Sequence, residues 1–215
     1  MAPQIDFKKL QNEQIKLASQ VILSDSLKKI KTIAGAQQTQ IGNDIVSMIA
    51  VLHYPSFERI EQKHAQSKSL LSYTSGFLFY REGPAVIEAF KQLENKPDLL
   101  MVLGNGILHP RRLGMASHLG IVLDIPTIGI AKNKIAGELR DHTLYLEKEA
   151  RGYEVLTREH AKPIYISPGH KVSLQKSIEI VKSCIVPPHK LPEPLHVANK
   201  LLNKMQLGNA IDDSL

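Results

Sequence analysis

Leu99-Leu-Met-Val-Leu-Gly-Asn-Gly-Ile-Leu-His-Pro-Arg-Arg-Leu-Gly114 is the stretch from which the rest of the chain can be read. Five consecutive apolar residues, Leu99 to Leu103, stand between Pro97-Asp98 and Gly104-Asn105-Gly106. A short apolar run bounded by turn signals predicts a strand buried on both faces, at the centre of an α/β sheet. Two glycines, a histidine and the Arg111-Arg112 pair follow directly. Glycine lets a ligand approach the main chain closely, and paired guanidiniums suit phosphate. Ligands of open α/β sheets bind beyond the carboxyl ends of the strands. The functional site is therefore expected here.

Working outward, residues 114 to 121 read as a helix and Pro126 to Ala131 as a second buried strand. Upstream, Gly83-Pro84 is expected to open a helix through Phe90 and Leu93, with proline in its favoured first turn. Before that come three strands, Thr32 to Gln38, Ile45 to His53 and Phe57 to Gln66, separated by Gly42-Asn43-Asp44 and Tyr54-Pro55-Ser56. An amphipathic pattern over 6–25 precedes them. Downstream, 133–152 reads as a charged surface excursion, Tyr153 to Leu156 and Ile164 to Ser167 as short strands, and 173–184 and 195–207 as helices. Residues 208–215 read as a frayed tail. A three-stranded antiparallel meander followed by βα units makes this an α/β chain with a mixed sheet flanked by helices.

At 215 residues the chain is expected to form one domain, 1–215, with a full core. The net charge of +6 favours a polyanionic partner. No apolar run approaches the roughly 18–20 residues that span a bilayer, so no membrane role is expected. The N-terminus has no signal-peptide core. The single cysteine, Cys184, excludes an internal disulfide and fits a reducing, cytoplasmic setting. Its place on the apolar side of a helix predicts a buried structural thiol.

Several separated motifs then occur in order: Gly76-Phe-Leu-Phe-Tyr-Arg-Glu82, Gly104 to Gly120, Val122 to Lys132, Ser167-Pro-Gly-His-Lys-Val-Ser173 and Leu191-Pro-Glu-Pro194. In these the chain, from about Ile33 to Pro194, resembles the endonuclease V family, which cuts DNA or RNA near a deaminated purine, hypoxanthine. The resemblance implies a ribonuclease H-like fold. It also implies Mg²⁺ or Mn²⁺ held by an aspartate on the first strand, a glutamate and an aspartate ending the central strand. Those positions read Gln37, Glu82 and Leu103 here. Magnesium takes hard, anionic oxygen ligands, and only Glu82 still offers one. Asp44 and Asp124 are not placed to substitute. The metal is therefore expected to bind weakly or not at all, and catalysis to be deficient.

Other positions keep the family pattern. By resemblance Gly76, Leu78, Gly104, Gly106 and His109 form the base pocket, where bare main chain can read a purine edge. Without the resemblance, tight turns alone are the lesser of the two readings of Gly104 and Gly106. Asn105 falls within the family's usage. Tyr73 matches the aromatic of the strand-separating wedge, although Ser72 and Ser75 stand where the family has prolines; the residues alone favour a partly exposed loop tyrosine with no function nearly as well. His170 matches the active-site histidine, against a helix-start histidine bonded to main chain. Lys132, Arg111 and Arg112 are candidate phosphate contacts. The remaining histidines lack metal-ligand spacing. Three functions stay open at this point: a nucleic-acid-binding protein that has lost cleavage, a divergent active endonuclease using Glu82, and a protein-interaction module, with a protein partner, that no longer binds nucleic acid.

Overall fold

A computed structural model describes residues 5–27, 29–69 and 71–207. The strands are β1 (Thr32–Ile41), β2 (Asp44–His53), β3 (Arg59–Lys68), β4 (Leu99–Leu103), β5 (Thr127–Ala131), β6 (Glu138–Arg140), β7 (Thr143–Leu146), β8 (Glu149–Val155) and β9 (Ile164–His170). They form one sheet in the order β3-β2-β1-β4-β5-β9-β8-β7-β6. β1, β2 and β3 are the expected antiparallel meander, β1, β4 and β5 run parallel, and β9 returns antiparallel to β5. The helices are α1 (Phe7–Ala18), α2 (Leu78–Lys91), α3 (Met115–Leu123), α4 (Leu174–Ser183) and α5 (Glu193–Gln206).

Side chains alternate across each strand, and this divides the core in two. Ile33, Leu99, Met101, Ile128 and Ile130 face α4 and α5, where Val181, Leu195 and Ala198 meet them. Ala34, Ala36, Leu100 and Val102 face the opposite way, onto Val86 and Ala89 of α2 and Ala116 and Leu119 of α3. β4 is buried on both faces, as its unbroken apolar run requires. Cys184 lies in the first of these layers and is fully buried, which pushes its thiol up to about 12.

Four expectations need correction. Helix α2 begins at Leu78, so Pro84 lies inside it and not at its first turn. Pro84 is on the exposed face, so the Tyr80 carbonyl that loses its helical N–H partner can turn to water. The buried stripe from Glu82 through Val86 to Phe90 continues unbroken past it. Residues 133–152 are no simple excursion: they supply β6 and β7 and the start of β8, which widen the sheet. Their alternation was masked because β6 is exposed throughout and β7 buries only Leu144. Helix α1 is shorter than 6–25: Asp6 caps it, accepting from the Lys9 amide at 3.0 Å, and it stops at Ala18. Beyond it, the Ile22 carbonyl accepts from the Lys171 amide at 2.7 Å. α5 opens at Glu193, two residues before the expected 195, with Pro194 in its first turn. The tail at 208–215 lies outside the described residues.

Candidate functional site

The parallel strands end side by side. Ala36 of β1 stands beside Val102 of β4, which puts Gln37 next to Leu103, and Leu103 in turn pairs with Ile130 of β5. Gln37 and Leu103 therefore share the α5 side of the sheet, as does Lys132, two residues past Ile130. Gln37 is 1% exposed and its Nε2 donates to the Leu195 carbonyl of α5 at 3.3 Å. Close packing makes this possible: a Cβ on Gly35 would lie 2.1 Å from the Pro194 carbonyl oxygen, so α5 rests directly on β1 main chain. Gln38 points to the other side, donating to the Leu103 carbonyl at 2.7 Å.

Glu82, on α2, meets Gln38 on the other side of the sheet. Burial raises its pKa, opposed by a hydrogen bond from Gln38 and by Arg81, whose Nη1 lies 2.8 Å from the Glu82 carboxylate. Arg81 also donates to the Gln40 amide oxygen at 2.5 Å. Among the described residues no group of three or more His, Cys, Asp or Glu side chains converges. One carboxylate already paired with a guanidinium, an amide turned to donate, and a leucine do not make the oxygen cage that Mg²⁺ requires.

His170 does not join this cluster. It pairs with Thr127 at the start of β5, whereas the strand-end residues are level with Ile130. Three residues of strand separate the two levels, about 10 Å. Its Nδ1 accepts from the Ile22 amide at 3.3 Å, and burial, followed by Lys171, lowers its pKa. The bland reading, a histidine bonded to main chain, is the one the geometry supports. A motif fixes neighbours along the chain, but β9 runs antiparallel to β5 and carries its last residue away from the strand ends.

A second recess lies where α2 and α3 begin. Tyr73, Gly76, Leu78, Asn105, His109 and Met115 line it, with Gln14 from α1 and Ile135 at its margin. Tyr73 is 71% exposed, at the tip of its loop. The wall is built around one atom, the Gly76 carbonyl oxygen, which accepts from Gln14 Nε2 at 2.9 Å, Arg111 Nη2 at 2.9 Å and His109 Nε2 at 3.2 Å. His109 Nδ1 accepts from the Arg111 amide, so Nε2 must carry the proton. Burial and then the Arg111 charge push His109 down to about 4. It is a neutral brace at pH 7.

The glycines work differently from the sequence expectation. Gly104 sits at φ 149°, and its amide donates to the Ile130 carbonyl at 2.9 Å. A Cβ on Gly106 would lie 2.0 Å from the Pro168 oxygen, and its amide donates to Ser167 Oγ at 2.7 Å. Neither amide is free to read a base. These glycines let the loop cross β5 to reach β9, and Gly76, Leu78 and His109 are the predicted pocket residues that actually line the recess.

The two arginines are also engaged. Arg111 donates through Nε to Gln14 Oε1 at 2.6 Å and lies over the Phe77 ring, while Arg112 pairs with Glu149 at 2.9 Å. Lys132 is exposed beyond β5. Partial desolvation and then Lys190 lower its pKa. It is the cation left available for phosphate among the three proposed. His118 stacks on Phe79 with ring centroids 3.4 Å apart. Gln14 was missed. Its signal was a polar residue on the inward stripe of α1, four after Leu10 and three before Leu17.

A meander leading into parallel strands, with helices on both faces and a recess beside the strand ends, defines a ribonuclease H-like protein. The endonuclease V family model matches residues 15–200. Endonuclease V of Dictyoglomus turgidum is 39% identical over 212 residues, covering 95% of this chain and 91% of the relative. The Bacillus subtilis endonuclease V structure superposes with a TM-score of 0.84 at 30% identity, covering 98% of this chain and 97% of that one. Ciona intestinalis endonuclease V, solved in complex with a DNA containing an inosine followed by a ribo-adenosine, gives 0.83 at 29% identity over 94% and 98%. The chain belongs to the endonuclease V family.

Proposed function

We propose that this protein binds DNA or RNA strands carrying hypoxanthine and has lost, wholly or nearly, the metal-dependent cleavage of its family. The observation that carries the reading is the contrast between two neighbouring places. The recess keeps its braced wall and exposed Tyr73, while the strand ends hold an amide, a leucine and an arginine-paired glutamate. The inosine-containing complex of the Ciona relative supports the ligand class. A base taken out of its stack would enter the recess, with Tyr73 filling the gap it leaves. Lys132 would hold the backbone and set affinity, not base identity. One carboxylate remains where a divalent ion would need several anionic oxygens to be held and to activate water. Whatever Mg²⁺ or Mn²⁺ binds here binds weakly. The reading includes a cytosolic setting, supported by the single buried thiol.

The test is a combined gel-shift and nicking assay on one inosine-bearing oligonucleotide, with Mg²⁺, with Mn²⁺ and with chelator. The expected result is an inosine-dependent shift in all three conditions and a nick in none. The retained Glu82 favours one alternative, a divergent active endonuclease. Mn²⁺-dependent nicking abolished by Glu82→Ala would establish it and overturn the proposal. No shift even at low salt would leave a protein-interaction module.

A further inference from the structure

Gln14 is 1% exposed, the one buried residue of α1, and it is held by every polar atom of its side chain. Nε2 donates to the Gly76 carbonyl at 2.9 Å and lies 3.4 Å from the Leu113 carbonyl. Oε1 accepts from Arg111 Nε at 2.6 Å. Three separate pieces of chain thus meet at one amide: the end of the loop that carries Tyr73, the turn before α3, and the guanidinium that itself donates to Gly76. Gly76 sits at φ 81°, a conformation that a non-glycine residue rarely adopts. Its carbonyl direction is therefore set from outside. Tyr80 adds a second tie, donating to the Leu10 carbonyl at 3.2 Å one turn before Gln14, and Phe7 meets Phe77 edge-on at 5.1 Å. The Glu13 carboxylate of α1 stands beside the Tyr80 hydroxyl as well. Ser72 and Ser75 leave the loop without the fixed φ angles of proline, so its order has to come from contacts of this kind.

We infer that Gln14 is a positioning residue: helix α1, through the Gln14 amide and Arg111, holds the Gly76 carbonyl and so fixes the Tyr73 loop in the posture needed to part a duplex. This rests on the proposed recognition of hypoxanthine strands and names a requirement of that recognition. The wedge matters only where a base must be drawn from a paired stack, because a single strand has already lost the pairing that opposes extraction. Loss of Gln14 should therefore weaken duplex binding selectively.

Fluorescence anisotropy with chelator present would measure dissociation constants for three probes: a hypoxanthine single strand, the same strand in a duplex, and an unmodified duplex. Gln14→Leu removes both hydrogen-bonding functions. Gln14→Glu keeps the shape and the acceptor for Arg111 but turns a carboxylate toward the Gly76 carbonyl, and it serves if the leucine variant does not fold. For either, the ratio of duplex to single-strand affinity is expected to fall about tenfold, the scale of one buried hydrogen bond to a charged or main-chain partner. Tyr73→Ala should lower the ratio by a similar factor with no change in melting temperature. A variant that melts earlier but keeps the wild-type ratio would overturn the inference, since Gln14 would then be packing only. A wild type that does not prefer hypoxanthine in either probe would overturn the proposed function instead.

Discussion

Restoring aspartate at Gln37 and Leu103 together should make the fold depend on a divalent ion. The two positions are adjacent on β1 and β4 and face the same side, so their carboxylates would lie about 5 Å apart, the spacing of neighbouring strands. At an effective dielectric of 20, two like charges at that distance repel by about 3 kcal/mol. Loss of the Gln37 bond to Leu195 adds about 1 kcal/mol. For a chain of this size each kcal/mol moves the melting temperature by about 2–4 °C, so the metal-free double variant should melt roughly 8–16 °C below its parent at pH 7. The repulsion raises one carboxyl pKa, so the folded state resists losing that proton. The penalty is absent below the ordinary aspartate range near pH 4 and appears as pH rises through the raised value. Mn²⁺ at a hundred times its dissociation constant would return about 2.7 kcal/mol. Differential scanning fluorimetry across a Mn²⁺ titration, at pH 4 and pH 7, measures all of this. A double variant as stable as its parent without metal, or a wild type stabilised by Mn²⁺ to the same extent, would refute the reasoning.

Three further outcomes follow from the geometry. Lys132→Gln should weaken binding uniformly across base sequences and reduce the slope of log affinity against log salt by about 1, read by anisotropy between 50 and 200 mM salt. His118 and His109 are buried and held down to about 4 by desolvation, so the unfolded chain takes up protons that the folded one refuses. Stability should fall as pH drops from about 6.5 toward 4, and a melting series on His118→Leu should show a shallower fall. Gly106→Ala would bring a Cβ to 2.0 Å from the Pro168 oxygen; denaturant unfolding should show a loss of about 3 kcal/mol, since main chain rather than a side-chain tip has to move.

The order of the central elements was legible because their signals are strong and local. The Leu99 to Leu103 run and the turns at Gly42 and Tyr54 each stand for one physical requirement, two-sided burial in the first case and a reversal in the others. Short strands such as β6, with no buried residue, have no hydrophobic period to read. Pro84 marks no boundary because the exposed helical face tolerates its ring, whatever proline's preference for a first turn. Gln37 and Leu103 are neighbours on the α5 side of the sheet, Glu82 meets Gln38 on the α2 side, and His170 lies toward the other end of β5; nothing along the chain tells which end of an antiparallel strand will meet a given neighbour. The glycine amides were assigned to a ligand before their protein partners could be known. Gln14 was overlooked because an isolated glutamine on an amphipathic helix looks like solvent-facing filler until its partners, 62 residues or more distant, are in place.

The seat of α5 on β1 divides the molecule into a part that can yield and a part that cannot. With Pro194 main chain against Gly35 and no room for even a methyl group between them, helix and strand must travel as a single beam. The loop after β4 is seated just as closely, a Cβ on Gly106 falling 2.0 Å from the Pro168 oxygen, whereas the Tyr73 loop is tied to α1 through side chains. An incoming strand that needs room would find it at the Tyr73 loop, whose ties to α1 run through an amide and a guanidinium.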